Sequence, residues 1–512
     1  MAQTVFAAHT AHAPGGQWRR QLSAPAGLAG LAVGTGLLGG LCAARFGAVL
    51  PLALLIAVAA GVAILLDARI GLYAAVAVIC LLPYGTLPVK VGLTFTLLEA
   101  VTLLTIAVWA LRLVHDRNEL IVTTPLFLPL GFFVVSTLVA FLVGAGRRTT
   151  TQTAHDYLKL LLGVGMVVLV VNLLRSAREI ARFMTLIVIG GTGAALLAIA
   201  LQRLPVATTT NLLTRLRVVG YPTSRLVRYI EDNPDLARRA TGTGVDPNAF
   251  GGFLMLVLVL AGGQAVANRP MVPRWLAVVA IPPTGLALLL TQSRAAWLGA
   301  AAGIGLLALL RYRRLILPLA ILIVGAGALG AGAGYLSRLT GGLRGQDAAT
   351  QLRFREFQNA LALIRQYPVF GVGFGEAPRI DLQTGVSSVY LTIAERAGLV
   401  GLALFLVVLA MILTRLLRGA HRAMPDDPHG EALLTVGTAM VAACVAAVLD
   451  HYFFNLGFPH MVALFWALVG IGEALLRLKG DSKIVPLPSP SPYEPDVFLD
   501  HRAMAPYERD RG

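Results

Sequence analysis

The chain has 512 residues, 57% of them hydrophobic and only 13% charged, with a net charge of +16. Soluble domains carry about a quarter charged residues, so water is excluded as the main solvent for most of this length. The cations are scattered between apolar stretches rather than gathered on one module, which argues against nucleic acid as their partner.

A helix needs about 20 apolar residues to cross the hydrocarbon core. Candidate spans fall near 25–44, 47–66, 70–87, 94–114, 123–143, 157–174, 183–203, 247–267, 274–291, 295–311, 314–336, 388–414, 431–449 and 457–477. The fold class expected is all-α, a polytopic transmembrane helical bundle of about 12–14 spans. The first apolar stretch is followed directly by another and lacks a small-residue cleavage pattern, so it reads as a retained helix rather than a signal peptide. Gly is abundant, as expected where helices approach closely in lipid. Cys42, Cys80 and Cys444 all lie in apolar stretches, with neither a disulfide framework nor zinc spacing.

Short-loop charge sets the orientation. With Arg19 and Arg20 inside, the loops after even-numbered spans also face the cytoplasm, and they hold Arg69, Arg112, Arg117, Arg175, Arg178, Arg182, Arg269, Arg274, Arg311, Arg313, Arg415 and Arg418. Short loops of the other parity hold far fewer cations: Arg45, Lys90, Arg147 and Arg148. The organisation expected is a cytoplasmic segment (1–24), helices (25–203), an outer Arg-rich loop (204–246), helices (247–336), a long outer loop (337–387), helices (388–478) and a disordered cytoplasmic tail (479–512).

Long connections in compact proteins tend to be functional, and two stand out, both outside. The first holds Arg215, Arg217, Arg225, Arg228, Arg238 and Arg239. The second holds Arg338, Arg344, Arg353, Arg355, Arg365 and Arg379. Within it Phe354, Phe357, Leu361 and Ile364 recur at helical spacing, opposite Arg355, Glu356, Gln358 and Asn359, which predicts an amphipathic surface helix ending before Pro368.

Ionisable groups at span ends are costly and therefore functional candidates. Arg239 opens the run to Asp246 and Asn248, two residues placed to cap the following span. Arg294 sits in a hairpin with almost no loop, either as a ligand-binding group or snorkelling at the boundary. Arg353 is followed by the Gly371–Gly375 run, which follows no strand and lacks the P-loop lysine; the glycines are expected to turn the backbone beneath a ligand instead. Glu376, Asp381 and Glu395 are candidate bases, with Ser387, Ser388 and Tyr390 among them. His451 and His460 lie near the last outer turn and are read as satisfied interfacial histidines. No carboxylate or histidine set has metal spacing. Of the 42 cations only Lys90, Lys159, Lys479 and Lys483 are lysine, and arginine is the better bidentate ligand for a diphosphate.

These clusters, in this order, resemble the O-antigen ligase and O-antigen polymerase superfamily of bacterial membrane glycosyltransferases. The likeness spans roughly 155–475 and rests on His155 to Lys159, Arg239 to Asn248, and Thr291 to Leu298. It continues through Arg353, Phe357, Ala360, Leu361 and Pro368 to Gly371–Gly373, and closes with Tyr390 to Gly398 and Gly401. The resemblance implies a bundle similar to the multispanning (GT-C-like) glycosyltransferases. It further implies transfer of a glycan from undecaprenyl diphosphate to an acceptor hydroxyl, lipid- or glycan-linked, on the outer face of the bacterial inner membrane. Arg239, Arg294 and Arg353 would hold the diphosphate, with no metal or other cofactor. Ligases of the family usually carry a His-Asn pair where this chain has Ser387 and Ser388, which leaves Glu376, Asp381, Glu395 or a group elsewhere to substitute and favours a polymerase or a divergent ligase-like enzyme. The alternatives are a transporter or flippase for a polysaccharide or anionic lipid-linked glycan, against which the absence of repeated halves argues, and a non-catalytic envelope scaffold.

Overall fold

The computed structural model describes residues 49–87, 93–116, 121–145, 150–313, 316, 348–375, 386–424, 426–478, 480 and 483–485. The expected spans at 25–44 and 314–336 (Ile316 apart), together with Glu376 and Asp381, lie outside the described residues. The helices are α1 (Val49–Leu66), α2 (Ala68–Leu81), α3 (Leu97–His115), α4 (Phe127–Ala145), α5 (Thr151–Leu173), α6 (Ala177–Arg203) and α7 (Val206–Thr214). They continue with α8 (Pro247–Val266), α9 (Arg274–Leu290), α10 (Arg294–Leu310), α11 (Ala348–Gln366), α12 (Val389–His421), α13 (Pro428–Leu449) and α14 (Pro459–Leu478). Seven of the described helices, α3, α5, α6, α8, α12, α13 and α14, are long and apolar enough to cross a membrane, and shorter apolar helices pack among them. The all-α polytopic fold is thus borne out.

Chain order does not give position in the bundle. Most of α14 (89%) and α8 (83%) is buried within the protein, against 28% of α3. The last span is therefore central, packed on α5, whereas α3 lies at the lipid-facing rim. Small residues permit the tightest crossings: a Cβ at Gly303 would lie 2.9 Å from the Thr438 carbonyl oxygen, so α10 and α13 meet backbone to backbone.

Polar contacts between helices sort into two sets at opposite ends. At one end Arg69 pairs with Glu179, Arg311 with Glu431 at 3.1 Å and Arg415 with Glu473 at 3.1 Å, while Arg477 donates to the open carbonyls of Val171 and Leu174 at the end of α5. Every cation in this set comes from a loop or span end that the charge rule assigns to the cytoplasm. At the same end, β1 (Ile121–Thr123) pairs antiparallel with β4 (Lys483–Val485), so the beginning of the segment expected to be an unstructured tail forms a strand. The opposite end, read as outer from the loop charges, carries β2 (Arg228–Tyr229), β3 (Arg238–Arg239) and α11.

The long helix α12 is broken at Gly398 (φ 71°, ψ −176°), a conformation open essentially only to glycine. Residues 368–373 fill the break. The Val372 and Gly373 amides donate to the Glu395 and Arg396 carbonyls at 2.8 and 2.9 Å, and the Leu399 amide donates to the Pro368 carbonyl at 2.7 Å. Backbone freed by the kink is thereby satisfied inside the protein, the condition under which irregular chain is tolerated at membrane depth. Within the glycine run, Gly371, at φ 67°, lets the chain press against the α12 backbone.

The expected amphipathic helix is present as α11, with its faces shifted. Ala360, Leu363 and Ile364 are buried, whereas Phe354 and Leu361, expected on one stripe with Ile364, are exposed. Leu363, not Leu361, completes the inner face because α11 packs on α12 along the line it shares with Ala360.

Candidate functional site

The outer end is organised by the amino terminus of α8. Asp246 caps this helix, its Oδ1 accepting from the Asn248 and Ala249 amides at 2.9 and 2.8 Å, with Pro247 at the first turn. Asn248 does not cap. Its side-chain oxygen instead accepts from Arg239 Nη2 at 2.6 Å, while Arg239 Nε donates to the Thr291 carbonyl at 2.8 Å. Arg239 thus ties β3 to the start of α8 and to the turn between α9 and α10. That turn carries Arg294, half-buried at the first position of α10.

Two non-glycine residues beside these contacts hold left-handed backbone, Val245 at φ 55° and Gln292 at φ 57°. For β-branched Val245 this is a strained conformation, and such strain persists only where the surroundings over-determine it.

A second group adjoins through α8. A Cβ at Gly252 would lie 2.3 Å from the Tyr452 ring, so the missing side chain is what lets that ring lie against α8. Tyr452 follows Asp450 and His451 in the turn from α13 to α14. Asp450 is 3% exposed, and its Oδ2 has no hydrogen-bond partner among the described residues. Arg353 on α11 faces that oxygen at 3.7 Å. Burial raises the Asp450 pKa above the ordinary carboxylate range, and this outweighs the opposing pull of His451 and Arg353. Burial likewise raises the Tyr452 hydroxyl, and the Asp246 charge acts on both Asp450 and Tyr452.

The start of α12 joins the same group. The Val389 amide donates to the Asp450 carbonyl at 3.2 Å, and Ser388 Oγ donates to the Ala447 carbonyl at 3.4 Å. Ser387 donates twice to Glu356 Oε2, from its amide at 3.1 Å and from Oγ at 2.6 Å.

Among the candidates read from the sequence, Arg239 therefore binds the turn that carries Arg294, and Arg353 faces the turn that carries Asp450. Glu395 is half-buried on α12, about two helical turns from Ser388. His451 stands beside Asp450, with Nδ1 3.5 Å from Oδ1. His460 is buried with its Nδ1 unpartnered among the described residues and its ring 5.2 Å from that of Tyr84, so it is not the satisfied interfacial histidine expected. Asp450, Tyr452 and Glu356 were not among the candidates. A carboxylate at a span end next to a histidine was the available signal for Asp450; nothing local marks the other two. Among the described residues no group of His, Cys, Asp and Glu is placed to hold a metal.

Residues 275–406 match the family model described as O-antigen ligase. The match runs from the start of α9 into α12 and contains Arg294, Arg353, Glu356, Ser387 and Glu395. The fold thus defines a multi-pass membrane protein. Over residues 275–406 the chain is similar to O-antigen ligases, which bears out the resemblance to the O-antigen ligase and polymerase superfamily. No curated protein matches the chain. Among solved structures, a chain from "Structural coordination of polymerization and crosslinking by a peptidoglycan synthase complex" is similar at 20% identity, over 68% of this chain and 96% of that one, with a TM-score of 0.36.

Proposed function

We propose that this protein transfers a glycan from undecaprenyl diphosphate to an acceptor hydroxyl at the outer face of the bacterial inner membrane, as a polysaccharide polymerase or O-antigen ligase-like enzyme. What supports the reading is the set of arginines at the outer end: Arg239 bound to Asn248 and Thr291 at the amino terminus of α8, Arg294 on the adjoining turn, and Arg353 against buried Asp450. Guanidinium groups fixed by such partners are preorganised for a diphosphate, whose charge grows as the glycosidic bond breaks. The positive end of the α8 dipole adds to the same field. A metal is not required in this scheme, because the arginines supply the counter-charge.

Acceptor activation is assigned in this reading to a carboxylate of the second outer loop or the start of α12, the region of Glu376, Asp381 and Glu395. The acceptor, lipid- or glycan-linked, approaches from the aqueous side while the donor's prenyl chain stays in the bilayer.

The test is glycan transfer by purified protein from an undecaprenyl-diphosphate oligosaccharide, with and without a lipid A-core acceptor. A ladder without the acceptor establishes a polymerase, and a product only with it establishes a ligase. Arg294→Ala and Arg353→Ala are each expected to cost at least about 100-fold in rate with folded protein retained. No product from folded wild-type protein and a native donor would overturn the reading in favour of transport or scaffolding.

A further inference from the structure

The position where the resemblance leads one to expect histidine holds Ser387, and Ser387 is not idle. It puts two hydrogen bonds on one carboxylate oxygen of Glu356, at 2.6 and 3.1 Å, across thirty-one residues of chain. Glu356 lies one helical turn beyond Arg353, so the two side chains share a face of α11. It is half-buried, and its other oxygen takes no hydrogen bond among the described residues. A loop carboxylate with only a solvation role has no need of a serine that donates both amide and hydroxyl to the same atom. Two hydrogen bonds to Oε2 fix the carboxylate plane and leave Oε1 as the available acceptor.

We propose that Glu356, oriented by Ser387, is the proton acceptor for the hydroxyl of the incoming acceptor glycan; this rests on the glycosyl-transfer reading above. In the step, the acceptor O–H bond breaks and its proton passes to Glu356 Oε1. The freed oxygen pair forms the bond to the anomeric carbon. The bond from that carbon to the diphosphate oxygen breaks, and its electron pair leaves with undecaprenyl diphosphate, whose charge the arginines meet. Glu356 then returns its proton to water. Ser387 is a positioning residue in this scheme. The charged groups around the pair are Arg353 and Arg355 on the same helix, and Asp450 and His451 where Arg353 docks.

The experiment measures transfer rate and donor retention side by side, using the full chain in detergent and a radiolabelled undecaprenyl-diphosphate oligosaccharide. Glu356→Gln is expected to lower transfer roughly 10²- to 10⁴-fold while retaining the donor like wild type. Ser387→Ala is expected to lower it on the order of tenfold. Glu356→His supplies a different base, and its acid-side rate limb is expected to move up toward about pH 6.5; a merely structural role for Glu356 would leave that limb in place. Glu376→Gln, Asp381→Asn and Glu395→Gln are made in parallel. Near-wild-type transfer by Glu356→Gln, or a loss confined to one of those three, overturns the assignment while leaving the glycosyltransferase reading intact. Wild-type protein that retains donor but forms no product with any acceptor overturns that reading itself, and this assignment with it.

Discussion

Asp450 is a carboxylate 3% exposed at the outer end, with an arginine 3.7 Å away. Burial raises its pKa, so between the ordinary value of about 4 and the raised one the unfolded chain gives up a proton that the folded chain keeps. Its contribution to stability therefore falls as pH rises through that window and levels off above it. Asp450→Asn has no proton to lose, and its thermal midpoint in detergent should vary less than that of wild type over the same window. The same substitution leaves Arg353 without its counter-charge and is expected to weaken donor retention. Arg239 poses a geometric demand: its Nε and Nη2 reach two different elements at 2.8 and 2.6 Å, and a lysine has one point charge for both. Arg239→Lys is expected to cost about 10- to 100-fold in transfer, read as initial rate at saturating donor; wild-type rates would show that charge alone suffices there.

At the scale of elements, the break in α12 has the clearest consequence. A Cβ at Gly398 would stand 2.1 Å from the Val369 carbonyl oxygen, and one at Gly371 would stand 2.4 Å from that of Glu395. Gly398→Ala or Gly371→Ala must either expel the 368–373 segment or strain both chains, at a cost of roughly 2 kcal/mol or more. A lowered detergent melting midpoint for both is the expected result; an unchanged one would mean that the segment does not plug the break. The glycines were visible in the sequence, but their role was not, because it depends on a partner backbone about 25 residues away. The register of α11 was hidden for a similar reason. Phe354, Leu361 and Ile364 fit one stripe by spacing, yet which flank faces inward is set by where α12 lies.

At the scale of the whole molecule, the two sets of polar contacts give a topology test. Asn233, between β2 and β3, and Met424, between α12 and α13, are both exposed and lie at opposite ends. With Cys42, Cys80 and Cys444 replaced, a cysteine at Asn233 should react with an impermeant maleimide on intact spheroplasts, and one at Met424 only after permeabilisation. Equal labelling of both from outside would refute the orientation read from loop arginines.

The sequence alone determined which segments are helices and which ends go together. Span ends such as 247–267 and 274–291 lie within a residue of α8 and α9, since an apolar run of spanning length has few alternatives in lipid. Alternating loop charge also predicts which side each arginine takes. What only the tertiary structure decided is which ionisable groups meet: Arg353 with Asp450, Ser387 with Glu356, and Tyr452 against Gly252. Those pairs join residues up to two hundred positions apart, and hydropathy carries no information about which helix neighbours which. The order of the bundle is set by small-residue crossings and buried polar partners, and these are properties of pairs of helices rather than of either sequence by itself.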